Sequence, residues 1–511
     1  MNKNVSLRKT YRNLILISLI FSSWLGLKQD ISRADKLPVF LGQGQMCGAV
    51  SQTSAILQSR LTSVATLDST GDLPGASGIG RFELATNPNF TNSFYTKWIH
   101  ATPDYDYIIK TKVTDLQPGT RYYYRLQYGK SETAVRVASM CTFRTHAEID
   151  IDSTEEVSFV VVTGMNHYYF HYGRYDTATA YKNDDKHLGY PALAAIQEIR
   201  PDFFVGTGDN VYFDVPNAKA YNRSIEQGKH TSPSSHGGQE VLTEMGMRKK
   251  YHEQFAQPRF IELFASVPTY WEKDDHDYRV NDCDPHIDFP ISHTLGVRNF
   301  REQLPVVDPT DEKAETYRTY QVNSLLQIWL VEGRDFRSAN AAPDGPEKVL
   351  WGQKQLAWLK ETLIQSTATF KILISPTPMI GPDDVSKRDN HANINGFRYE
   401  RDMFFSWLLE NSFLQKRFYI ICGDRHWQYH SVDPTGFEEF SCGALVDANS
   451  RIGRKPGDKK STDPDAQIKQ PYFQDPASGG FLKFVVTPDP PRLEFIYFDE
   501  SGSELYRHQK E

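Results

Sequence analysis

From Val39 to Thr145 apolar and polar residues alternate in short runs divided by turns. "SAILQSRLT", "GIGRFELAT", "YDYIIKTKVTDLQPGTRYYYRLQYG" and "VRVASMCTFRT" all carry this alternation. A period of two puts apolar side chains on one face of a strand. Several such strands at short spacing predict a small β-sandwich over residues 39–145. No cluster of chemistry falls within it.

The pattern changes after "HAEIDIDSTEE". Apolar runs of strand length now alternate with amphipathic helical stretches. "VSFVVVTG" precedes "PALAAIQEIR", where Pro191 suits a first helical turn and Leu193, Ile196 and Ile199 share a face. "LLQIWLVEGRDFR" precedes "WGQKQLAWLKETL", with Leu356, Leu359 and Leu363 on one side. This alternation predicts an α/β core over residues 155–507. "EEFSCGAL", "GGFLKFVVT" and "RLEFIYFD" predict antiparallel strands in a second sheet packed on the first. Two long polar segments, Asp214–Glu240 and Asp447–Gly480, are candidate rims of a site.

Each apolar run ends in polar residues on its C-terminal side. "FFVGT" runs into Asp209, "VPTYW" into Asp274, Asp275, His276 and Asp277, "IWLVE" into Arg334, and "YIIC" into Asp424, Arg425 and His426. Sites of α/β sheets form outside the carboxyl ends of the strands. "WEKDDHDYRVNDCD" holds six carboxylates in fourteen residues. Such crowding repels unless something positive offsets it. The alternatives are a solvated acidic turn and a metal site fed from several strands.

Composition narrows the function. A hydrophobic fraction of 39% and an aromatic fraction of 13% describe a globular chain. A net charge of -7 argues against a general nucleic-acid binder, which usually shows a basic face. Lys3, Arg8, Lys9 and Arg12 precede the apolar "NLILISLIFSSWLGL", which predicts a signal peptide over 1–34 and a periplasmic or extracellular protein, anchored if the leader is uncleaved. No later segment reads as membrane-spanning. Cys47 and Cys141 are a candidate bridge in an oxidising compartment, and with five cysteines at least one stays unpaired. "NFT" at Asn89 and "NRS" at Asn222 match glycosylation acceptors.

"GDNVY", "DDHD" and "GDRHW", in that order, resemble the PhoD-like alkaline phosphatases of the calcineurin-like metallophosphoesterase superfamily. "LQPGTRYYYRL" is similar to the strand–turn–strand of fibronectin-type modules. The resemblance implies a layered α/β/β/α core behind a small fibronectin- or Ig-like sandwich. It implies Asp209 as a carboxylate shared between metals, Tyr212 as a phenolate ligand, and Asp275, Asp424 and His426 as further ligands. It places His276 against the phosphate as a proton donor. Arg334, Arg337 and Arg425 are candidate phosphate contacts, since guanidinium binds phosphate in a bidentate manner. Iron with calcium is the implied centre. Carboxylates and phenolate suit hard cations, and His extends the choice to zinc, manganese or magnesium.

One motif departs. The first strand ends in Gly164, Met165 and Asn166, where the family carries a Cys ligand. A thioether suits hard cations poorly. Asn166 offers an amide oxygen in its place, and His167 or His171 an imidazole. The expected function is a secreted phosphoesterase hydrolysing phosphomonoesters, phosphodiesters or both through metal-activated water. The alternative is a non-catalytic metal-binding surface protein on the same fold. A Ser/His/Asp hydrolase fits less well, because GxSxG is missing.

Overall fold

A computed structural model of the chain describes residues 39–149, 154–174, 177–216 and 241–511. The predicted leader at 1–34 and the acceptor Asn222 lie outside them. Nine strands precede residue 150: β1 Gln45–Gly48, β2 Ala55–Arg60, β3 Gly78–Ala85, β4 Phe94–Tyr95, β5 Ile99–Ala101, β6 Ile108–Val113, β7 Arg121–Gly129, β8 Val135–Val137 and β9 Cys141–Arg144. The next seven are β10 Val157–Val162, β11 Phe203–Thr207, β12 Thr269–Glu272, β13 Arg318–Gln321, β14 Leu326–Leu330, β15 Phe370–Ser375 and β16 Phe418–Cys422. The last six are β17 Gln428–Val432, β18 Glu438–Cys442, β19 Lys469–Phe473, β20 Gly480–Pro488, β21 Pro491–Asp499 and β22 Glu504–Lys510.

These strands build three sheets. The largest runs β22-β21-β20-β10-β11-β12-β1-β2-β6. A seven-stranded sheet runs β13-β14-β15-β16-β18-β17-β19, and a third holds β3, β4, β5, β7, β8 and β9. Period two explains the layering. In β10, Phe159 and Val161 face the seven-stranded sheet, with Ile328, Ile372 and Phe440 in the same core. Val160 and Val162 face the other way, onto the helices Pro191–Ile199 and Glu244–Phe255. Beyond the seven-stranded sheet, Trp329 and Leu373 pack on the helices Gly352–Gln365 and Arg398–Glu410. The order is helix, sheet, sheet, helix. Full burial of each such Val, Leu or Phe contributes roughly 1.5–3 kcal/mol.

The helical faces agree with the sequence. Leu193 and Ile196 are buried, and Arg200 ends their helix in a left-handed cap with φ 47°. Leu359 and Leu363 are buried in the later helix. The C-terminal strands differ from expectation. They form no sheet of their own: β18 lies inside the seven-stranded sheet, while β20, β21 and β22 extend the nine-stranded one. β20 pairs antiparallel with β10 on the side away from β11.

The N-terminal segment forms the expected sandwich, with Leu57 of one sheet and Phe82, Tyr124 and Phe143 of the other in one core. That core continues into Phe159 and Ile328. β1 also pairs in parallel with β12, at Gly48 and Thr269. Cys47 and Cys141 are both buried free thiols, so the candidate bridge is not formed.

Candidate metal centre

Two Gly-Asp turns set the geometry. Gly208 ends β11 at φ 76° and Asp209 follows at φ 55°; Asp424, after Gly423, also has φ 55°. Left-handed backbone is costly for most side chains, and Asp tolerates it better than most. A Cβ on Gly208 would come 2.5 Å from the Asp274 Cβ, and one on Gly423 would come 2.4 Å from the Thr207 carbonyl oxygen. Glycine thus lets the loops after β11, β12 and β16 approach closely enough to share ligands.

Asp209 Oδ2 accepts from the Tyr212 hydroxyl at 2.9 Å and lies 3.0 Å from His426 Nε2. Tyr212 Oη is 3.3 Å from the same imidazole nitrogen, and Asn449 Nδ2 donates to it at 2.8 Å. Asn449 belongs to the second predicted rim. Asp209, Asp275 and His276 each bring a ligand atom within 4.8 Å of the others. Asp275 also meets Asp282 and Asp389 in a second group of that size. Asp424 lies close enough to raise the Asp209 pKa. The structure therefore brings together Asp209, Tyr212, Asp275, His276, Asp424 and His426.

The donors fit hard cations. Asp209 Oδ1 and both carboxylate oxygens of Asp389 are buried without hydrogen-bond partners. A buried carboxylate oxygen left bare is costly unless a cation meets it. Burial, with Asp275 and Asp424 nearby, pushes Asp209 up to about 7. Burial and Asp209 hold the Tyr212 phenol well above its usual range, so it stays a neutral donor until positive charge arrives. Burial and Arg451 keep His426 neutral, as a ligand requires.

His276 is held from a direction the sequence did not suggest. Its Nδ1 lies 2.6 Å from Asp214 Oδ1, and its ring packs on Tyr212 at 4.5 Å. Burial opposes the charged ring, but Asp214, Asp275 and Asp209 outweigh it and raise the pKa well above normal. Asp274 and Asp277 are its near neighbours in sequence. They point elsewhere: Asp277 accepts from Asn210 Nδ2 at 2.5 Å and from the Asp274 amide at 2.7 Å.

Four assignments change. Arg334 is fully buried, donates from Nε to Asp274 at 2.7 Å and from Nη1 to the Cys283 carbonyl at 2.9 Å. Arg425 is equally buried between Asp383 and Asp424. Arg337 donates to the carbonyls of Gly333 and Asp389. All three hold the acidic loops from behind instead of presenting a fork to an open site. Asn166 Oδ1 accepts from the Tyr169 amide at 2.9 Å, so the oxygen offered as a ligand caps the helix His167–Tyr172. Its Nδ2 is an amide donor and cannot ligate. Met165 is buried in the apolar core, and His167 and His171 pack ring to ring at 4.3 Å. Sequence reasoning missed Asp389 altogether and placed Asp214 and Asn449 only within the candidate rims, without a role.

Acidic, phenolic and imidazole donors at the strand ends of two stacked sheets define a phosphatase of the metallophosphoesterase class. Residues 160–489 match the PhoD-like phosphatase family and residues 28–147 match that family's N-terminal domain. The chain belongs to the PhoD-like phosphatase family. It is a hydrolase of phosphate esters, and its family uses metal ions. A solved structure of PhoD is similar with a TM-score of 0.68 and 17% identity, over 91% of this chain and 88% of that one. Purple acid phosphatase PPD1 from yellow lupin (Lupinus luteus) seeds is similar with a TM-score of 0.54 and 10% identity, over 91% and 73%. At these identities the likeness concerns the fold. No curated protein sequence matches the chain. Among the described residues no helix is long and apolar enough to cross a membrane.

Proposed function

We propose that the chain is a secreted phosphoesterase acting on phosphomonoesters, phosphodiesters or both. The observation that carries the reading is the convergence of Tyr212 and His426 on Asp209 beside the joined carboxylates of Asp275, Asp282 and Asp389, with buried oxygens on Asp209 and Asp389 that make no hydrogen bond. Asp209, Tyr212 and His426 suit ferric iron, and the all-carboxylate group of Asp275, Asp282 and Asp389 suits calcium. When bound, such a pair supplies Lewis-acid charge and lowers the pKa of an attacking water. The chain's own residues supply the rest. Asp214 fixes the His276 ring and favours its charged form, ready to protonate a departing alkoxide. Arg334 and Arg425 keep the crowded carboxylates in place. The leader at 1–34 supports a periplasmic or extracellular location, and residues 39–145 are read as a sandwich whose sheet and core run on into the phosphatase core of 155–507.

The buried Met165, with no thiolate at the first strand end, favours the second reading, a metal-binding surface protein without turnover. A panel of phosphate mono- and diesters, assayed after chelation and after reloading with iron, calcium, zinc, manganese or magnesium, decides between them. Hydrolysis lost on chelation and regained on reloading is the expected result. A fully loaded chain that turns over no ester overturns the enzyme reading.

A further inference from the structure

His430, Glu438 and His508 form a ligand-type cluster that the phosphatase centre does not use, with one donor atom from each within 4.8 Å of the others. They come from β17, β18 and β22, so the group joins the seven-stranded sheet to the edge strand of the nine-stranded one. Register places it away from the centre. Glu438 precedes Glu439, which sits beside Ile420 inside β16, whereas Asp424 follows the end of that strand.

His430 Nε2 lies 2.8 Å from Glu438 Oε2, and His508 Nε2 lies 3.7 Å from the same oxygen. His508 Nε2 is buried without a hydrogen-bond partner. The remaining atoms of the group are occupied. Tyr506 Oη is 3.3 Å from His430 Nδ1, and Lys510 Nζ donates to Glu438 Oε1 at 2.6 Å. Such outer contacts aim ligating atoms inward. The floor is apolar, with His430 stacked on Phe440 at 4.2 Å and Phe440 stacked on Phe495.

We infer that His430, Glu438 and His508 bind a divalent transition ion of the zinc type, tying β22 to β17 and β18. Two imidazoles and one carboxylate, with an open fourth position for water, match a tetrahedral zinc site. A hard alkaline-earth ion would want more oxygens than the group offers.

The test uses full-length protein already loaded at its catalytic centre. Titration with Zn²⁺ should reveal one further ion per chain, and Co²⁺ in its place should give the intense visible bands of a tetrahedral ion. His508→Ala, a change on the edge strand β22, should weaken this ion by more than the ~10–100-fold typical of altering an outer partner. It should leave the centre's metal content and ester hydrolysis unchanged. Lys510→Met, which removes an outer partner of Glu438 and no ligand, should weaken Zn²⁺ by no more than ~10–100-fold. Equal Zn²⁺ affinity in wild type and His508→Ala, or octahedral Co²⁺ bands, would overturn the assignment. Neither result bears on whether the chain hydrolyses esters.

Discussion

Asp275 stands where two ligand groups meet, and Asp209 is the member on which Tyr212 and His426 both converge. Asp209→Ala therefore removes the point of contact and exposes the remaining carboxylates to one another. Metal bound at this side should fall to background by elemental analysis. Turnover should fall at least ~10³-fold, since Lewis-acid stabilisation is worth several kcal/mol and each ~1.4 kcal/mol is tenfold. His276 behaves differently, because its Nδ1 belongs to Asp214. His276→Asn should keep the metals and lower turnover by ~10²–10⁴-fold, most for esters with poor leaving groups. Asp214→Asn should give a smaller loss of ~10–100-fold with the same leaving-group trend. A steady-state series of aryl and alkyl phosphates measures both, and an equal loss across the series excludes proton donation. Asp209, Asp275, Asp424 and His426 were legible as candidates because each lies within a few residues of the end of an apolar run. Asp214 and Asp389 were not, because they sit in loops with no period and meet the centre only through folding. Arg334 and Arg425 were placed at the right strand ends, but sequence alone does not distinguish a guanidinium facing solvent from one sealed behind a carboxylate.

At the scale of elements, the site depends on the closeness of the turns after β11 and β12. Gly208→Ala combines a left-handed φ with a Cβ 2.5 Å from the Asp274 Cβ. The backbone cost alone is about 1–2 kcal/mol. The crowding should push Asp209 away from Asp275 and weaken metal retention in a chelator competition. Gly436→Ala is the control, with φ 98° and only Leu414 at 3.5 Å. It should lower the unfolding midpoint by a similar backbone cost and leave metal retention unchanged. The strands that feed the centre were readable since β10, β11, β15 and β16 are continuous apolar runs. β13, β19 and β22 escaped notice: "RTYQ", "KQPYF" and "ELYRHQK" are short or polar edge segments without such a run.

For the molecule as a whole, one buried carboxylate links the N-terminal segment to the core. Asp106 accepts from Arg60 at 2.8 Å and from Gln303 at 2.9 Å, and lies 2.7 Å from His252 Nε2. Burial alone would raise its pKa, but His252 and Arg60 prevail and hold it well below the usual carboxylate range. The unfolded chain has this group near ~3.9. Its stabilisation is thus complete above that pH and is lost as pH falls through the folded value. Asp106→Asn should cost roughly 3–5 kcal/mol at neutral pH, as for a buried pair deprived of one partner. Urea unfolding at pH 7 and pH 3 should show the gap between variant and wild type narrowing in acid.

The insertion of β1 between β2 and β12 also has a consequence in time. The Cys47 carbonyl meets the Thr269 hydroxyl, 222 residues further along the chain. At ~5–20 residues per second, ribosomal synthesis takes roughly 10–40 s to deliver that partner. Until then the outer edge of β1 carries unsatisfied amides and carbonyls that any neighbouring strand can pair with. Closing so long a loop is also slow in itself. The nascent chain must therefore be shielded along this edge for longer than its local hairpins take to form, and the last partner to arrive is the strand that leads into the acidic turn.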